Sequence, residues 1–183
     1  HAAVRHDHTF VVAFDSTRHQ VRDIRLSVPL AVSAEARAEF ATSTGMSGDL
    51  VAVEAGRAPV SLVQSAHDRW KLISLSSAER IAQGRRAGGW FGLSDQRWGA
   101  YAGWRDFWQQ YPGELEAADG VLHLHLWSSR EGSVLDFTPS VILGDKYPGD
   151  RIFFDRFYAG GLDRWTQAYG VGKTHNVWIH FFR

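Results

Sequence analysis

Hydrophobic and polar residues alternate along much of this chain. In VRDIRLSVPL (21–30), Ile24, Leu26 and Val28 share one face, while charged and hydroxyl side chains occupy the other. GVLHLHLWSS (120–129) alternates in the same way, which is the pattern of a strand buried on one side. Such segments recur at short intervals, and no helical periodicity is sustained. The pattern predicts an all-β fold, an antiparallel β-sandwich with short helical excursions.

Local signals divide the chain further. The segment 9–30 is predicted to hold two adjacent strands or a hairpin linked by DSTRHQ, and AEARAEF (34–40) a short helix. WFGLSD and RWGAYAGW predict a second hairpin around residues 95–97. RDFWQQYPGEL (105–115) leaves the period of two and predicts a short helical or turned excursion that ends before Pro112. The chain stops inside the predicted strand NVWIHFFR, which indicates that the protein continues beyond Arg183.

Composition narrows the class of protein. The 183 residues fit one domain, and 44% hydrophobic with 22% charged residues is typical of a globular protein. Lys plus Arg equals Asp plus Glu at 20 each, so net charge favours neither nucleic acid nor a membrane surface as partner. Without cysteine there is no disulfide or thiolate chemistry. Eight Trp, five Tyr and eleven Phe favour strands and offer flat faces for a packed core or for stacking on sugars.

The segment YGVGKTH (169–175) has a superficial likeness to a phosphate-binding loop. Such a loop needs a glycine where Gln167 stands, because backbone amides must wrap the phosphates without interference from side chains. A helix should also follow the loop, whereas NVWIHFF predicts a strand. The nucleotide interpretation is therefore rejected, and Lys173, Thr174 and His175 are predicted to lie just before the last strand.

A metal site is one hypothesis for HLH. His123 and His125 are two apart on a predicted strand, so both imidazoles leave the same face and could bind zinc with a third ligand. The alternative is that they form the wetter side of an outer strand. The sequence does not choose among the candidates for the third ligand, His6, His8, His175 and His180.

No cofactor is assigned from sequence, although a loop-rich region carries four acids that could supply oxygen ligands to a divalent cation, calcium. Those residues lack the spacing of a calcium-binding EF-hand loop, and the alternative is that they form turns beside glycine and proline. No G-x-S-x-G elbow marks a serine nucleophile. The four acids are Asp145, Asp150, Asp155 and Asp163.

Basic and aromatic residues give a further hypothesis. Arg105 could hold a carboxylate with two hydrogen bonds, Lys173 could neutralise negative charge, and His175 could move a proton. Trp108 and Tyr111 would contact a sugar ring, so the set suits an acidic saccharide. The alternative is that Arg105 pairs with a surface acid such as Asp106, Trp108 belongs to the core, and residues 173–175 order a turn.

Four segments together carry a resemblance to a known family. They resemble landmarks of the YetA-like proteins, which include exo-rhamnogalacturonan lyases of polysaccharide lyase family 26, and they span most of the chain. The segments are VRDIRLSVPL (21–30), GGWFGLSDQRWGAYAGWRDFWQQYPGELE (88–116), VLHLHLWSSREGSVLDF (121–137) and GVGKTHNVWIHFF (170–182).

This resemblance implies an N-terminal barrel, a central β-sandwich and a C-terminal α/α toroid, of which residues 1–183 would be the sandwich alone. It also implies β-elimination at a galacturonate of a pectic polysaccharide. His175 and Lys173 would then be catalytic, Arg105, Trp108 and Tyr111 would bind substrate, and the segment alone is expected to be inactive. The alternative is a non-catalytic carbohydrate-binding or structural sandwich.

Overall fold

A computed structural model describes residues 2–15, 18–44, 49–54, 58–132 and 170–183. In this part of the chain the structure is almost entirely β. The twelve strands are β1 (Ala2–Val11), β2 (Ile24–Pro29), β3 (Arg37–Ala41), β4 (Leu50–Glu54), β5 (Val60–Ala66), β6 (Arg69–Ser74), β7 (Arg80–Gly84), β8 (Trp90–Ser94), β9 (Gly99–Trp104), β10 (Gly113–Ala118), β11 (Val121–Trp127) and β12 (Gly172–Phe182). Within the described ranges, one 3-10 turn, η1 (Phe107–Gln110), lies between strands.

The strands form two six-stranded antiparallel sheets, which confirms the predicted fold class. Sheet I has the order β1-β12-β9-β8-β3-β4, and sheet II the order β2-β11-β10-β5-β6-β7. Alternate side chains of both sheets enter one hydrophobic core, in which the rings of Phe40 and Phe91 stack with centroids 5.7 Å apart. Leu62, Leu115 and Leu124 of sheet II join the same core and are fully buried. Burial of these apolar faces is the main force holding the sheets together.

The chain divides into two compact units. One comprises His1–His8, Asp23–Ser133 and His175–Arg183, and contains strands β2 to β11. The other comprises Thr9–Arg22 and Val134–Thr174. Within this second unit, the Val12 amide donates to the Val171 carbonyl at 2.8 Å, and the Thr9 and Thr174 hydroxyl oxygens lie 2.8 Å apart. Among the described residues, no helix has the length and apolarity that a bilayer crossing demands.

The predicted hairpin of residues 90–104 and the excursion after it are confirmed. β8 pairs with β9, with Phe91 opposite Ala102. η1 then occupies residues 107–110 and ends before Pro112. Gly92 is required in this hairpin, because a Cβ atom there would lie 2.3 Å from the ring of Tyr101. Tyr101 stacks in turn on Phe182, so part of the aromatic composition covers the outer face of sheet I.

Two local predictions are wrong. AEARAEF contributes to strand β3, not to a helix, because its alanines and Phe40 alternate with charged residues at a period of two, and Ala36, Ala38 and Phe40 are buried. The helix propensity of Ala and Glu is overridden by that pattern. Segment 9–30 forms neither a hairpin nor two adjacent strands, since β1 pairs in sheet I and β2 in sheet II.

Candidate functional site

The outer face of sheet II carries a cluster of ionisable side chains. Strands β10 and β11 are paired so that Glu114 lies opposite His125 and Glu116 opposite His123. Their leucine and alanine neighbours enter the core, so the period of two directs all four polar side chains to the same outer face. β11 lies between β2 and β10, so the prediction that the histidines lie on an outer strand is wrong.

Glu114 is the most enclosed member of this cluster. It is 1% exposed, yet its carboxylate accepts hydrogen bonds from three side chains. The Ser61 hydroxyl donates to Oε1 at 2.6 Å, and the Ser128 hydroxyl donates to Oε2. The Arg130 Nε also donates to Oε1, at 2.5 Å. A buried charge is tolerated when it is paired and hydrogen-bonded in this way.

Arg130 joins the two glutamates. The Arg130 Nη2 atom donates to Glu116 Oε2 at 2.7 Å, so one guanidinium contacts both carboxylates. The adjacent Glu131 pairs with Lys71 of β6 at 2.6 Å. Charge-assisted contacts therefore connect the segment after β11 to strands β10 and β6 of sheet II.

His125 lies between two carboxylates. Its Nδ1 is 2.7 Å from Asp23 Oδ1, and because the carboxylate can only accept, the imidazole donates its Nδ1–H there. Its Nε2 lies 3.7 Å from Glu116 Oε2. Burial alone would lower the pKa of His125, but Glu116, Glu114 and Asp23 together raise it above the ordinary value. The protonated imidazole is thus the form that this surface stabilises.

The pKa values of Glu116 and His123, the two neighbours of His125, are lowered and not raised. The contact with His125 and the charge of Arg130 lower the pKa of Glu116, although burial opposes the shift. Burial, with the nearby charges of Arg25 and His125, lowers the pKa of His123, against the attraction of Glu116 and Asp119. The His123 Nδ1 lies 2.8 Å from the Ser27 hydroxyl. At a pH between the two folded pKa values, a neutral His123 lies beside a protonated His125.

We expect these shifts to give opposite pH dependences in two matched variants. A raised folded pKa makes His125 stabilising below its ordinary value of 6.5, and that contribution is lost as the pH rises through the folded pKa. His125→Gln should therefore cost most stability between about pH 5 and 6.5 and less as the pH increases. His123→Gln should instead gain stability relative to the wild type as the pH falls, because a lowered folded pKa penalises protonation.

Urea unfolding of the wild type, His125→Gln and His123→Gln between pH 5 and 8 gives the free energy of unfolding of each protein and so measures both effects. Glu116 remains ionised over this range, since its pKa is lowered from 4.5. Parallel stability–pH curves for the two variants would contradict the assignment of charged and neutral histidines.

The metal hypothesis can be tested against this geometry. Among the described residues, Glu114, Glu116 and His125 offer ligand atoms within 4.8 Å of one another, so the structure joins His125 to two glutamates and not to a third histidine. This donor set would suit a transition metal better than calcium, which takes oxygen ligands. However, Arg130 already occupies an oxygen of each carboxylate. The residues fit a charge network closed by arginine, not a metal centre, and the four loop aspartates predicted for calcium lie outside the described residues.

The structure places the predicted substrate-binding residues around η1. Arg105 is exposed and pairs with Asp106 at 3.5 Å. Trp108 is half-buried beneath Arg86, whose guanidinium carbon lies 4.1 Å from the ring centroid. Tyr111 is exposed. These three residues share one surface segment, and their predicted contact with sugar stays a prediction.

Lys173 and His175 lie within β12, not before it, which corrects the predicted start of the last strand. Alternation along β12 points His175 inward with Val177 and Ile179, and the imidazole is fully buried. Its ring centroid is 5.4 Å from that of Trp104 and 5.8 Å from that of His8. Burial lowers the pKa of Lys173. The proton-transfer role of His175 and the charge role of Lys173 stay predictions.

A groove that sequence reasoning missed lies where the β8–β9 turn meets the loop after β2. Trp98 stands in it, 43% exposed, between a polar cavity of about 520 Å³ and an apolar one of about 260 Å³. The polar cavity adjoins a third, of about 850 Å³, through Ser33, Asp95 and Arg97. The sequence signal was the indole of Trp98 close to the turn-forming Asp95. These residues helped to predict the hairpin, but they were not interpreted as a binding surface.

The fold and these surfaces define an antiparallel β-sandwich domain with a charge network on one outer face and an aromatic groove between two loops. The chain belongs to the family described as the PcRGLX-like protein central beta sandwich domain, which matches residues 60–183. It is therefore the central β-sandwich domain of a rhamnogalacturonan-lyase-like protein, as the sequence resemblance indicated. The search of curated proteins gives no match.

Proposed function

We propose that this domain works in a larger protein that cleaves pectic polysaccharide by β-elimination. The observation that carries the proposal is the family match over residues 60–183, on a chain that folds as the two-sheet sandwich which that family describes. The other parts of the enzyme would be an N-terminal barrel and a C-terminal α/α toroid. The sandwich would supply a packing surface and several side chains to a cleft for acidic polysaccharide.

The chemistry requires a base, a cationic group and a carboxylate anchor. A base removes the proton beside the uronate carboxylate, a cation stabilises the negative charge that develops, and the glycosidic oxygen leaves. In this proposal His175 moves the proton, Arg105 and Lys173 engage the carboxylate, and Trp108 and Tyr111 contact the sugar. The exposure of Arg105 and Tyr111 supports their part.

The test uses the full-length protein with rhamnogalacturonan and follows the ultraviolet absorbance of the unsaturated uronate that β-elimination produces. We expect Arg105→Gln to lower kcat/KM by about ten- to a hundredfold, the usual effect of losing a charged hydrogen bond. The matched control is Arg80→Gln on β7, which should leave the rate unchanged. Hydrolysis without an unsaturated product, or no cleavage, would contradict the proposed reaction.

A second candidate function is a non-catalytic carbohydrate-binding module. The observation that favours it is the exposed Trp98, whose indole lines two cavities of the groove. Aromatic rings held in this way are suited to stacking on sugar rings. Under this alternative the chain would bind saccharide and the full-length protein would release no unsaturated product.

A further inference from the structure

The groove around Trp98 is built on a rigid crosslink between loops. Asp95 accepts from the backbone amides of Arg97 and Trp98 through Oδ1, at 2.8 and 3.0 Å, and from the Ser33 amide through Oδ2, at 2.7 Å. The Trp98 Nε1 donates to the Ala31 carbonyl at 3.0 Å. Four hydrogen bonds thus fix the indole before any ligand arrives, which lowers the entropic cost of binding.

The charge balance of the polar cavity favours an anion. The three backbone bonds lower the pKa of Asp95 to about 2, so its negative charge is already satisfied by two amides of the turn and by that of Ser33. Arg97 and Arg183 also line this cavity, and neither forms an ion pair with another described residue. The guanidinium of Arg183 lies 5.6 Å from the Trp98 ring centroid. Two guanidiniums beside an indole are suited to a carboxylate on a ring whose apolar face can lie against the indole.

The adjoining cavity has a different character. It is lined by Glu35, Glu39 and Ser94, which offer acceptors to hydroxyl groups. Glu39 is held by the Tyr101 hydroxyl at 2.5 Å, and Glu54 on the same wall pairs with Arg37 at 3.7 Å. The negative charge of these carboxylates disfavours a second acid and suits a neutral sugar. The volumes of the two cavities lie in the range of small-ligand sites, roughly 300 to 1,000 Å³.

We propose that the Trp98 groove binds an acidic oligosaccharide, with one uronate between Trp98 and the guanidiniums of Arg97 and Arg183, and a neutral sugar in the adjoining cavity. The choice of an alternating acidic and neutral saccharide rests on the proposed function. The groove itself rests on the geometry of residues 31–39 and 94–98, and it is separate from the predicted cleft residues near η1. It would hold the polymer without taking part in the cleavage.

Isothermal titration calorimetry of the 183-residue chain with rhamnogalacturonan oligosaccharides tests this subsite. Arg97→Gln is expected to weaken binding about tenfold or more, and Trp98→Ala at least as much. Arg80→Gln on β7 is the matched control and should bind as the wild type does. Thermal melting of each variant identifies any loss of fold, and Arg97→Gln keeps the test valid if Trp98→Ala unfolds.

Carboxyl-reduced oligosaccharides provide the decisive comparison. They should bind the wild type at least as weakly as the natural ligand binds Arg97→Gln. The same reduction should weaken binding less in Arg97→Gln than in the wild type, because the contact with Arg97 is already lost and only that with Arg183 remains. Wild-type affinity in Arg97→Gln would overturn the subsite even where the full-length lyase is active. Binding that depends on Arg97 in a protein that forms no unsaturated product would keep the subsite and remove the proposed reaction.

Discussion

Replacing Glu114 with alanine is expected to lower the free energy of unfolding by about 3 to 5 kcal/mol, the cost of removing one partner from a buried ion pair. Glu114 is the acceptor for Arg130 and for the hydroxyls of Ser61 and Ser128, both of which are buried. The alanine variant would leave these donors without their acceptor inside sheet II. Chemical denaturation monitored by circular dichroism measures the change directly.

Two controls separate charge from shape in this experiment. Glu114→Gln keeps the size of the side chain and one acceptor oxygen, so we expect a smaller loss, about 1 to 3 kcal/mol. Glu54→Ala removes a carboxylate that is 87% exposed and pairs loosely with Arg37, and should cost less than about 1 kcal/mol. If Glu114→Ala were no more damaging than Glu54→Ala, the network on sheet II would have no structural role.

The sequence predicted the sheets better than it predicted the site. Alternation is a local property, so β2, β8, β9 and β11 could be recognised from their own residues. The pairing of strands depends on contacts between distant segments, which is why β1 and β2 were wrongly joined. β10 was hidden for a related reason, since GELEAA follows directly on η1 and was included in the excursion.

The difference between local patterns and long-range contacts also explains why the candidate sites were only partly predicted. HLH indicated two polar side chains on one face, but their partners are Asp23, just before β2, and Glu116 of β10, which are brought close only by the fold. Likewise, Trp98 and Ala31 are joined by a single long-range hydrogen bond that no spacing rule reveals. Residues of the right type were visible in the sequence, whereas their juxtaposition required the fold.

Under the proposed function, His175→Phe in the full-length protein is expected to lower the rate of β-elimination by about a hundredfold or more, the usual contribution of a group that transfers a proton. Phenylalanine keeps an aromatic ring beside Trp104, where the wild-type imidazole is fully buried, so the variant removes the titrating nitrogens and preserves most of the packing. His180→Phe is the matched control, because His180 lies on the same strand with its side chain exposed, and its rate should be unchanged.

A second variant, His175→Ala, distinguishes a packing role of the imidazole from a role in proton transfer. It should cost about 2 to 4 kcal/mol of stability through the cavity it leaves in the core, whatever the role of the imidazole in catalysis. A proton-transfer role predicts that the alanine and phenylalanine variants are equally slow and that both lose the limb of the pH–rate profile due to His175. A wild-type rate and pH profile in His175→Phe, with only the alanine variant impaired, would make His175 a packing residue of sheet I, because an aromatic ring without nitrogens would then be sufficient.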